Sequence, residues 1–200
     1  TDAQQINVSG KTLTPGLIDG HAHGSQANEE IIPQQNWKNL SSLAFGVTTI
    51  HDPSNDSSEI FAASEMQRSG KILGPRIFST GTIVYGANSP SAYARIDSYE
   101  DAFFHLQRLK DMGAVSVKSY NQPRREQRQQ VLKAARDLEL MVVPEGGGKL
   151  YQNMSMIADG HTTLEHSLNI ASGYSDLTQF WSQTEMAYNP TLVVAYGGLE

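Results

Sequence analysis

Two histidines stand one residue apart in the stretch LTPGLIDGHAHG, residues 13–24. On a β-strand, residues i and i+2 point to the same face, so His21 and His23 would present two imidazoles side by side after the apolar pair Leu17-Ile18. Neutral imidazole is a common ligand of metal ions in proteins. The spacing therefore predicts a metal-chelating pair at the end of a strand.

The composition limits the classes of partner. The 200 residues carry a formal net charge of −6, which argues against a nucleic-acid partner because such a protein would be expected to have a concentrated basic face. No apolar run approaches the roughly 18 residues that span a bilayer, which argues against a membrane-spanning protein. The sequence has no cysteine, so any metal must be held by histidine, carboxylate or an oxygen derived from lysine.

Strand-like and helix-like runs alternate along the chain. Apolar spacing and stop signals predict helices at residues 33–45, 58–70, 99–113, 123–139, 150–158 and 175–184, and strands at 17–18, 47–50, 76–80, 115–118, 141–143, 162–165 and 191–194. This alternation predicts an α/β fold with a parallel sheet. We expect a partial (β/α)8 barrel of about seven βα repeats, since the chain is shorter than the roughly 250 residues typical of that fold. An open doubly wound sheet is the alternative, although no glycine-rich phosphate turn follows the first strand.

Further polar residues follow the predicted strands. In a barrel they would project from the carboxyl ends of the strands into one mouth; they are Asp52, Lys118, Glu145, Glu165 and His166. Tyr120 lies two residues beyond Lys118, and we expect it to share the face of Lys118 and to contact substrate. We interpret His51, His105 and His161 as structural, and Asp52 as a loop residue that accepts hydrogen bonds from the backbone.

These residues carry a family resemblance. The motifs GKTLTPGLIDGHAHG, GVTTIHD, GPRIFSTG, GAVSVKSY and TTLEHS, in this order and spacing, resemble the amidohydrolase superfamily and in particular its imidazolonepropionase-like and prolidase-like branch. The resemblance implies a hydrolase that uses one or two ions of zinc or a similar metal, and that cleaves an amide, cyclic amide or peptide C–N bond by metal-bound hydroxide. It assigns His21, His23 and His166 as metal ligands. It assigns Lys118 as the lysine that reacts with carbon dioxide to give a carbamate bridging two metals.

Two departures from the family pattern bear on activity. The fifth strand is expected to end in a ligand histidine, but MVVPEGGG has Pro144-Glu145 there. Glu145 could supply a carboxylate to the second metal; alternatively the second site is impaired, or the glutamate and its glycines form a turn. The family's aspartate after strand eight has no counterpart, and residues 1–14 resemble only a remnant of the family's β-sandwich, ahead of an incomplete barrel over 15–200.

We therefore expect this chain to be an inactive or nearly inactive fragment of an enzyme acting on a small molecule or short peptide. The competing expectation is a non-catalytic, metal-free barrel fragment that forms homo-oligomers through exposed sheet edges. Turnover of a dipeptide or lactam by the purified chain, abolished in His166→Ala, would contradict the expected inactivity. The cellular location, cytoplasmic or periplasmic, stays open.

Overall fold

A computed structural model of the protein describes residues 2–91, 93–146, 148–168 and 170–192. The strands are β1 (Leu17–Asp19), β2 (Val47–Asp52), β3 (Arg76–Ser79), β4 (Val84–Tyr85), β5 (Ala94–Arg95), β6 (Ser116–Ser119), β7 (Met141–Pro144), β8 (Thr163–Glu165) and β9 (Ala187–Asn189). The helices are α1 (Trp37–Ala44), α2 (Ser57–Arg68), α3 (Tyr99–Asp111), α4 (Arg125–Asp137), α5 (Leu150–Asp159) and α6 (Ser175–Trp181). Among the described residues, no helix has the length and apolar character needed to cross a bilayer.

Local sequence explains where the first helices begin. The side chains of Asn36, Asp56 and Ser98 accept hydrogen bonds from backbone N–H groups in the first turns of α1, α2 and α3. Such N-caps satisfy donors that have no partner within the helix, and each is worth about 1 kcal/mol. At the other end of α5, Gly160 adopts a left-handed conformation with φ of 84°, which ends the helix and lets the chain turn into β8.

All the paired strands run parallel. The sheets have the orders β1-β2-β3, β5-β4-β6-β7 and β8-β9. The second and third sheets meet where the backbone N–H of Thr162 donates to the Val142 carbonyl at 3.0 Å, and that of Val142 donates to Thr162 Oγ1 at 2.9 Å. The α/β fold with parallel strands predicted from the sequence is therefore confirmed. Parallel strands carry their carboxyl ends to one side of the sheet, which is where the candidate site lies.

The hydrophobic core packs the strands against helices α2, α3 and α4. Fully buried side chains from the helices meet fully buried side chains from the strands; they include Ile60, Leu106, Leu109, Val117 and Val131. A smaller cluster of Met156, Ile157, Leu164 and Met186 holds α5 against β8. Each such large side chain contributes about 1.5–3 kcal/mol by leaving water. This packing fixes the ends of the strands from which the polar residues project.

Two features differ from the sequence-based expectation. The strand predicted at 191–194 is wrong at its described residues, 191 and 192, because the chain instead pairs with β8 through Ala187–Asn189. Burial of Met186 and the 2.8 Å hydrogen bond from Trp181 Nε1 to its carbonyl fix that earlier register. Residues 193 and 194 lie outside the described residues. The two-residue strands β4 and β5 were not predicted, since they are too short to show alternation.

His161 illustrates how the fold handles a buried ionisable group. Its Nδ1–H donates to the Met156 carbonyl at 3.0 Å, and its side chain is buried just before β8. Burial lowers the pKa of His161 from 6.5 to about 4. The imidazole is therefore neutral at pH 7, in agreement with a structural role.

We expect His161 to make the protein less stable as the pH falls from 6.5 to about 4. In that window the unfolded imidazole binds a proton and the folded one does not, so the free energy of unfolding falls by about 1.4 kcal/mol per pH unit from this group. His161→Asn keeps a donor for the Met156 carbonyl and removes the titration. Urea unfolding should give a shallower pH dependence for the variant; parallel curves would contradict this account.

Candidate functional site

The ends of four strands bring the five predicted metal residues into one chain of contacts. The ring centroids of His21 and His23 lie 4.9 Å apart, and those of His21 and His166 lie 5.0 Å apart. His166 Nε2 lies 3.0 Å from Glu145 Oε1, and Lys118 Nζ lies 2.7 Å from Glu145 Oε2. Residues up to 145 positions apart in the sequence thus meet because their strands are parallel.

His21 and His23 face each other through their Nε2 atoms, which are 3.1 Å apart. Their Nδ1 atoms point the other way, to a carboxylate each: His21 Nδ1 lies 2.5 Å from Glu165, and His23 Nδ1 lies 3.3 Å from Asp52. If both Nδ1–H groups donate to these carboxylates, both Nε2 atoms carry lone pairs that point at each other. That arrangement is favourable only with a cation or a proton between them.

The separation of the two nitrogens suits a metal ion. Tetrahedral zinc with Zn–N bonds of 2.0–2.1 Å places two ligand nitrogens about 3.3 Å apart, close to the observed 3.1 Å. Ligand histidines commonly donate their other N–H to a carboxylate, which fixes the ring and its tautomer. Glu165 and Asp52 stand in that position, with exposures of 2% and 1%.

Asp52 is itself held in place by the loop after β2. Its Oδ1 accepts from the backbone N–H of Ser54 at 3.0 Å, and its Oδ2 accepts from the Asn55 side chain at 2.7 Å. Asp52 is the last residue of β2 rather than a loop residue, but it does accept a backbone hydrogen bond from the following loop, as the sequence interpretation expects. The contact with His23 adds an orienting role that the sequence did not indicate.

Lys118 and Glu145 form a buried ion pair. Lys118 is 1% exposed, and its Nζ makes the 2.7 Å contact with Glu145 at angles outside the hydrogen-bond range. Burial by itself raises the pKa of Glu145, but the Lys118 ammonium and His166 outweigh burial and hold that pKa below its ordinary value. Glu145 is therefore a carboxylate at neutral pH, already engaged with two partners.

His166 sits at a sharp turn of the chain after β8. Its φ of 64° is unusual for a residue other than glycine, and such conformations cost about 1–3 kcal/mol. The turn is held by a 2.9 Å hydrogen bond from the His166 N–H to the Asn189 carbonyl, and by a 2.5 Å contact between His166 Nδ1 and Thr191 Oγ1. These contacts aim His166 Nε2 at Glu145.

Tyr120 belongs to a cluster of three half-buried tyrosines. Its ring centroid lies 5.7 Å from those of both Tyr85 and Tyr93. Burial raises the pKa of Tyr120, and the negative charge of Glu145 raises it further. The tyrosine therefore stays neutral, and its contact with substrate stays a prediction.

A small cavity opens over the histidines. It has a volume of about 300 Å³, and its lining includes His21, His23, His166 and Asn189. This volume lies at the lower end of the range for small-molecule sites. Among the described residues, no group of three or more His, Cys, Asp or Glu side chains is arranged to hold a metal ion. The histidine pair is thus a partial site whose further ligands are not preassembled.

Sequence reasoning noted Glu165 at the end of a strand but did not assign it a role. The available signal was a carboxylate at the carboxyl end of a predicted strand, directly before His166. His51 was interpreted as structural, and the structure agrees: its Nε2 lies 2.7 Å from Ser116 Oγ and its Nδ1 lies 3.3 Å from the Gly20 carbonyl. Burial lowers the pKa of His51, so it is neutral at pH 7.

Comparisons with known proteins bear on the fold. No family model matches the sequence, and no curated protein matches it. Solved structures do resemble it, each at low sequence identity. A Xaa-Pro dipeptidase with bound methionine superposes with a TM-score of 0.70 at 18% identity, over 89% of this chain and 53% of that one. The Aspergillus niger ochratoxinase gives 0.65 at 16% identity, over 87% and 51%.

A third similar structure, a bottromycin amidohydrolase, gives a TM-score of 0.61 at 20% identity, over 76% of this chain and 32% of that one. The chain therefore spans about half or less of the length of these proteins. Likeness at this level of identity establishes the fold alone, which the chain shares with the dipeptidase, the ochratoxinase and the bottromycin amidohydrolase. The resemblance drawn from the motifs is confirmed at that level.

We expect Glu145→Gln to destabilise the protein by about 3 kcal/mol, because it leaves the buried Lys118 ammonium without its carboxylate. The double variant Lys118→Met/Glu145→Gln should recover most of that loss, since neither charge is then left unpaired. Urea unfolding of Lys118→Met, of Glu145→Gln and of the double variant measures the coupling between the two residues.

The control for this experiment is Asp137→Asn, which removes the carboxylate of the exposed Lys133–Asp137 pair. Exposed pairs contribute little, so this variant should unfold almost as the parent does. If Glu145→Gln proves as mild as the control, the Lys118–Glu145 contact is not a significant buried ion pair.

Proposed function

We propose that this chain carries the metal-binding part of a hydrolase active site of the amidohydrolase superfamily, which cleaves an amide, cyclic amide or peptide C–N bond. The observation that carries the proposal is the facing pair of His21 and His23, with Nε2 atoms 3.1 Å apart and each Nδ1 on a buried carboxylate. The parallel strands and the similar structures support a partial (β/α)8 barrel as the scaffold.

The donor set fits one ion of zinc or a similar divalent metal. His21 and His23 would hold it, and His166 is the nearest further imidazole, at 5.0 Å between ring centroids from His21. A divalent ion in that position supplies a Lewis acid that polarises a carbonyl and makes water more acidic. A second ion is disfavoured as long as the Lys118 ammonium occupies its place beside Glu145, because like charges repel.

The protein's own residues would orient the reacting groups. Glu165 and Asp52 keep the two imidazoles turned so that their Nε2 atoms face the cavity. Tyr120 presents an aromatic ring to one side of a substrate. Glu145 Oε1 accepts a hydrogen bond from His166 Nε2 at 3.0 Å, which fixes the ring of His166. The Lys118 ammonium favours the charged form of Glu145 and so keeps it a carboxylate.

The substrate class is a small molecule or a short peptide. Support comes from the size of the cavity and from the similar structures, of which one is a Xaa-Pro dipeptidase and another an ochratoxinase. The net charge of −6 does not favour a nucleic acid. We further propose a boundary near residue 14, since residues 2–14 are exposed and form neither helix nor strand.

A second candidate function is self-association without catalysis. Leu17 and Ile18 of β1 are 61% and 71% exposed, and Leu13 just before them is 85% exposed. An exposed apolar strand favours pairing with another copy of the chain. Oligomers that persist in the presence of a chelator, seen by size-exclusion chromatography, would favour this candidate over the metal site.

We expect protein purified without chelator to contain about one equivalent of zinc or a similar metal. The variant His21→Ala/His23→Ala should lose it, and Glu165→Gln should bind it roughly 10–100-fold more weakly, because a neutral amide orients the His21 ring less strongly than the Glu165 carboxylate does. Elemental analysis and competition with a chromophoric chelator measure both effects.

His105→Ala is the matched control, since His105 lies on α3 away from the site. It should keep the metal content of the parent protein. A parent with no metal, or a His105 variant that loses metal as completely as the double variant, would contradict the proposed metal site. Hydrolysis of dipeptides is then tested only on preparations with measured metal content.

A further inference from the structure

A second cleft, of about 590 Å³, lies at the loops that follow β6 and β7. The same loops carry Tyr120 and Glu145, so the cleft is on the carboxyl-end side of these strands. Its lining includes Gln122, Arg125, Arg128, Lys149 and Gln152, and the described residues that line it include no carboxylate. The cleft is therefore a cationic surface next to the candidate site.

Arg128 is a buried cation that lines this cleft. It is 6% exposed, and within the described part of the chain no carboxylate lies within ion-pair distance of it. One guanidinium nitrogen donates to Ser155 Oγ at 2.8 Å and another to the Gln122 carbonyl at 3.5 Å, while the buried Nε has no partner among the described residues. A buried charge is costly to keep unless an opposite charge is supplied.

The cleft has two further cationic side chains, Arg125 and Lys149, of which only Lys149 is without an ion pair among the described residues. Arg125 is neutralised by Asp159, which its guanidinium contacts at 2.6 Å. Lys149 is exposed and forms no ion pair within the described residues. Arg128 and Lys149 therefore form no ion pair among the described residues, although Asp159, which is paired with Arg125, also attracts the Arg128 charge.

Two helices add to the positive potential. The cleft lies at the first turns of α4 and α5. In α4 the Gln127 side chain accepts a hydrogen bond from the Arg124 backbone N–H at 3.3 Å, whereas α5 has no side chain that caps its first turn. Free N–H groups and the helix dipole both favour an anion at such a position. Arg128, which has no ion pair among the described residues, and the first turn of α5 thus meet at one cleft.

We propose that this cleft binds an oxyanion, either a carboxylate or a phosphate group. The Arg128 guanidinium, which lines the cleft, and the Lys149 ammonium donate to its oxygens, together with the N–H groups of the first turn of α5. A guanidinium suits this task because its donors match the geometry of carboxylate and phosphate oxygens. The site is independent of any metal at the histidines, so it can be tested without turnover.

The test follows the Arg128 Nε–H resonance in ¹⁵N-labelled full-length chain, assigned with Arg128→Lys, during titration with inorganic phosphate and separately with N-acetylglycine. A saturable shift at millimolar ligand, weakened by added salt, is expected. Lys149→Glu should weaken binding at least about tenfold, because it replaces a charge-assisted donor with a like charge. Lys71→Glu makes the same charge change outside the cleft and should bind as the parent does.

The two ligands separate the sources of the anion. A response to phosphate alone assigns the cleft to phosphate-bearing ligands, and a response to N-acetylglycine assigns it to the free carboxylate of a peptide-like ligand. Absence of a shift with both ligands would overturn the proposal, and so would equal weakening by Lys149→Glu and Lys71→Glu. Lys149 is exposed, so its variant keeps the test valid even where Arg128→Lys folds poorly.

Discussion

The contact between His21 Nδ1 and Glu165 Oε2, at 2.5 Å, joins residues 144 positions apart and organises the mouth of the fold. Glu165 is almost completely buried, so its charge requires a hydrogen-bonding partner of the kind that His21 provides. In return the carboxylate fixes the rotation of the imidazole. Without this contact β1, whose apolar residues are largely exposed, would have little beyond its pairing with β2 to hold its end near β8.

The parallel pairing of the strands brings further polar residues to the contact between His21 and Glu165. Because every paired strand runs the same way, each strand end delivers its polar residue to the same side, while α2, α3 and α4 bury the apolar side chains behind them. The strained φ of His166 is tolerated in this setting, since hydrogen bonds to β9 and Thr191 over-determine the turn. The parallel strands thus place the histidines next to each other, and the buried carboxylates of Glu165 and Asp52 orient the rings of His21 and His23.

The alternation of helices and strands and the convergence of His21, His23, Lys118, Glu145 and His166 were predictable from the sequence. Those features depend on periodicity, caps and spacing, which are local. The partners of the histidines were not predictable, because Glu165 and Asp52 reach them from distant strands. The pairing of Lys118 with Glu145 was likewise not predictable, since either residue alone is compatible with a metal ligand or a turn.

The last strand was predicted in the wrong place because residues 191–194 form a more apolar run than Ala187–Asn189. Pairing with β8, which is not visible in the local sequence, selects Ala187–Asn189 instead.

In the proposed metal site, the charge of Lys118 would limit the number of cations that can bind. Its ammonium and a metal ion are both positive, and the carboxylate of Glu145 can neutralise only one of them at close range. Conversion of the ammonium to a carbamate would change the local charge by two units, turn a competitor into a ligand, and free Glu145 from the ion pair. His166, whose Nε2 points at Glu145, would then be released together with it. The proposed single-ion and two-ion arrangements would therefore differ by one covalent change at a residue that is 1% exposed, in which the Lys118 nitrogen bonds to the carbon of carbon dioxide and releases two protons.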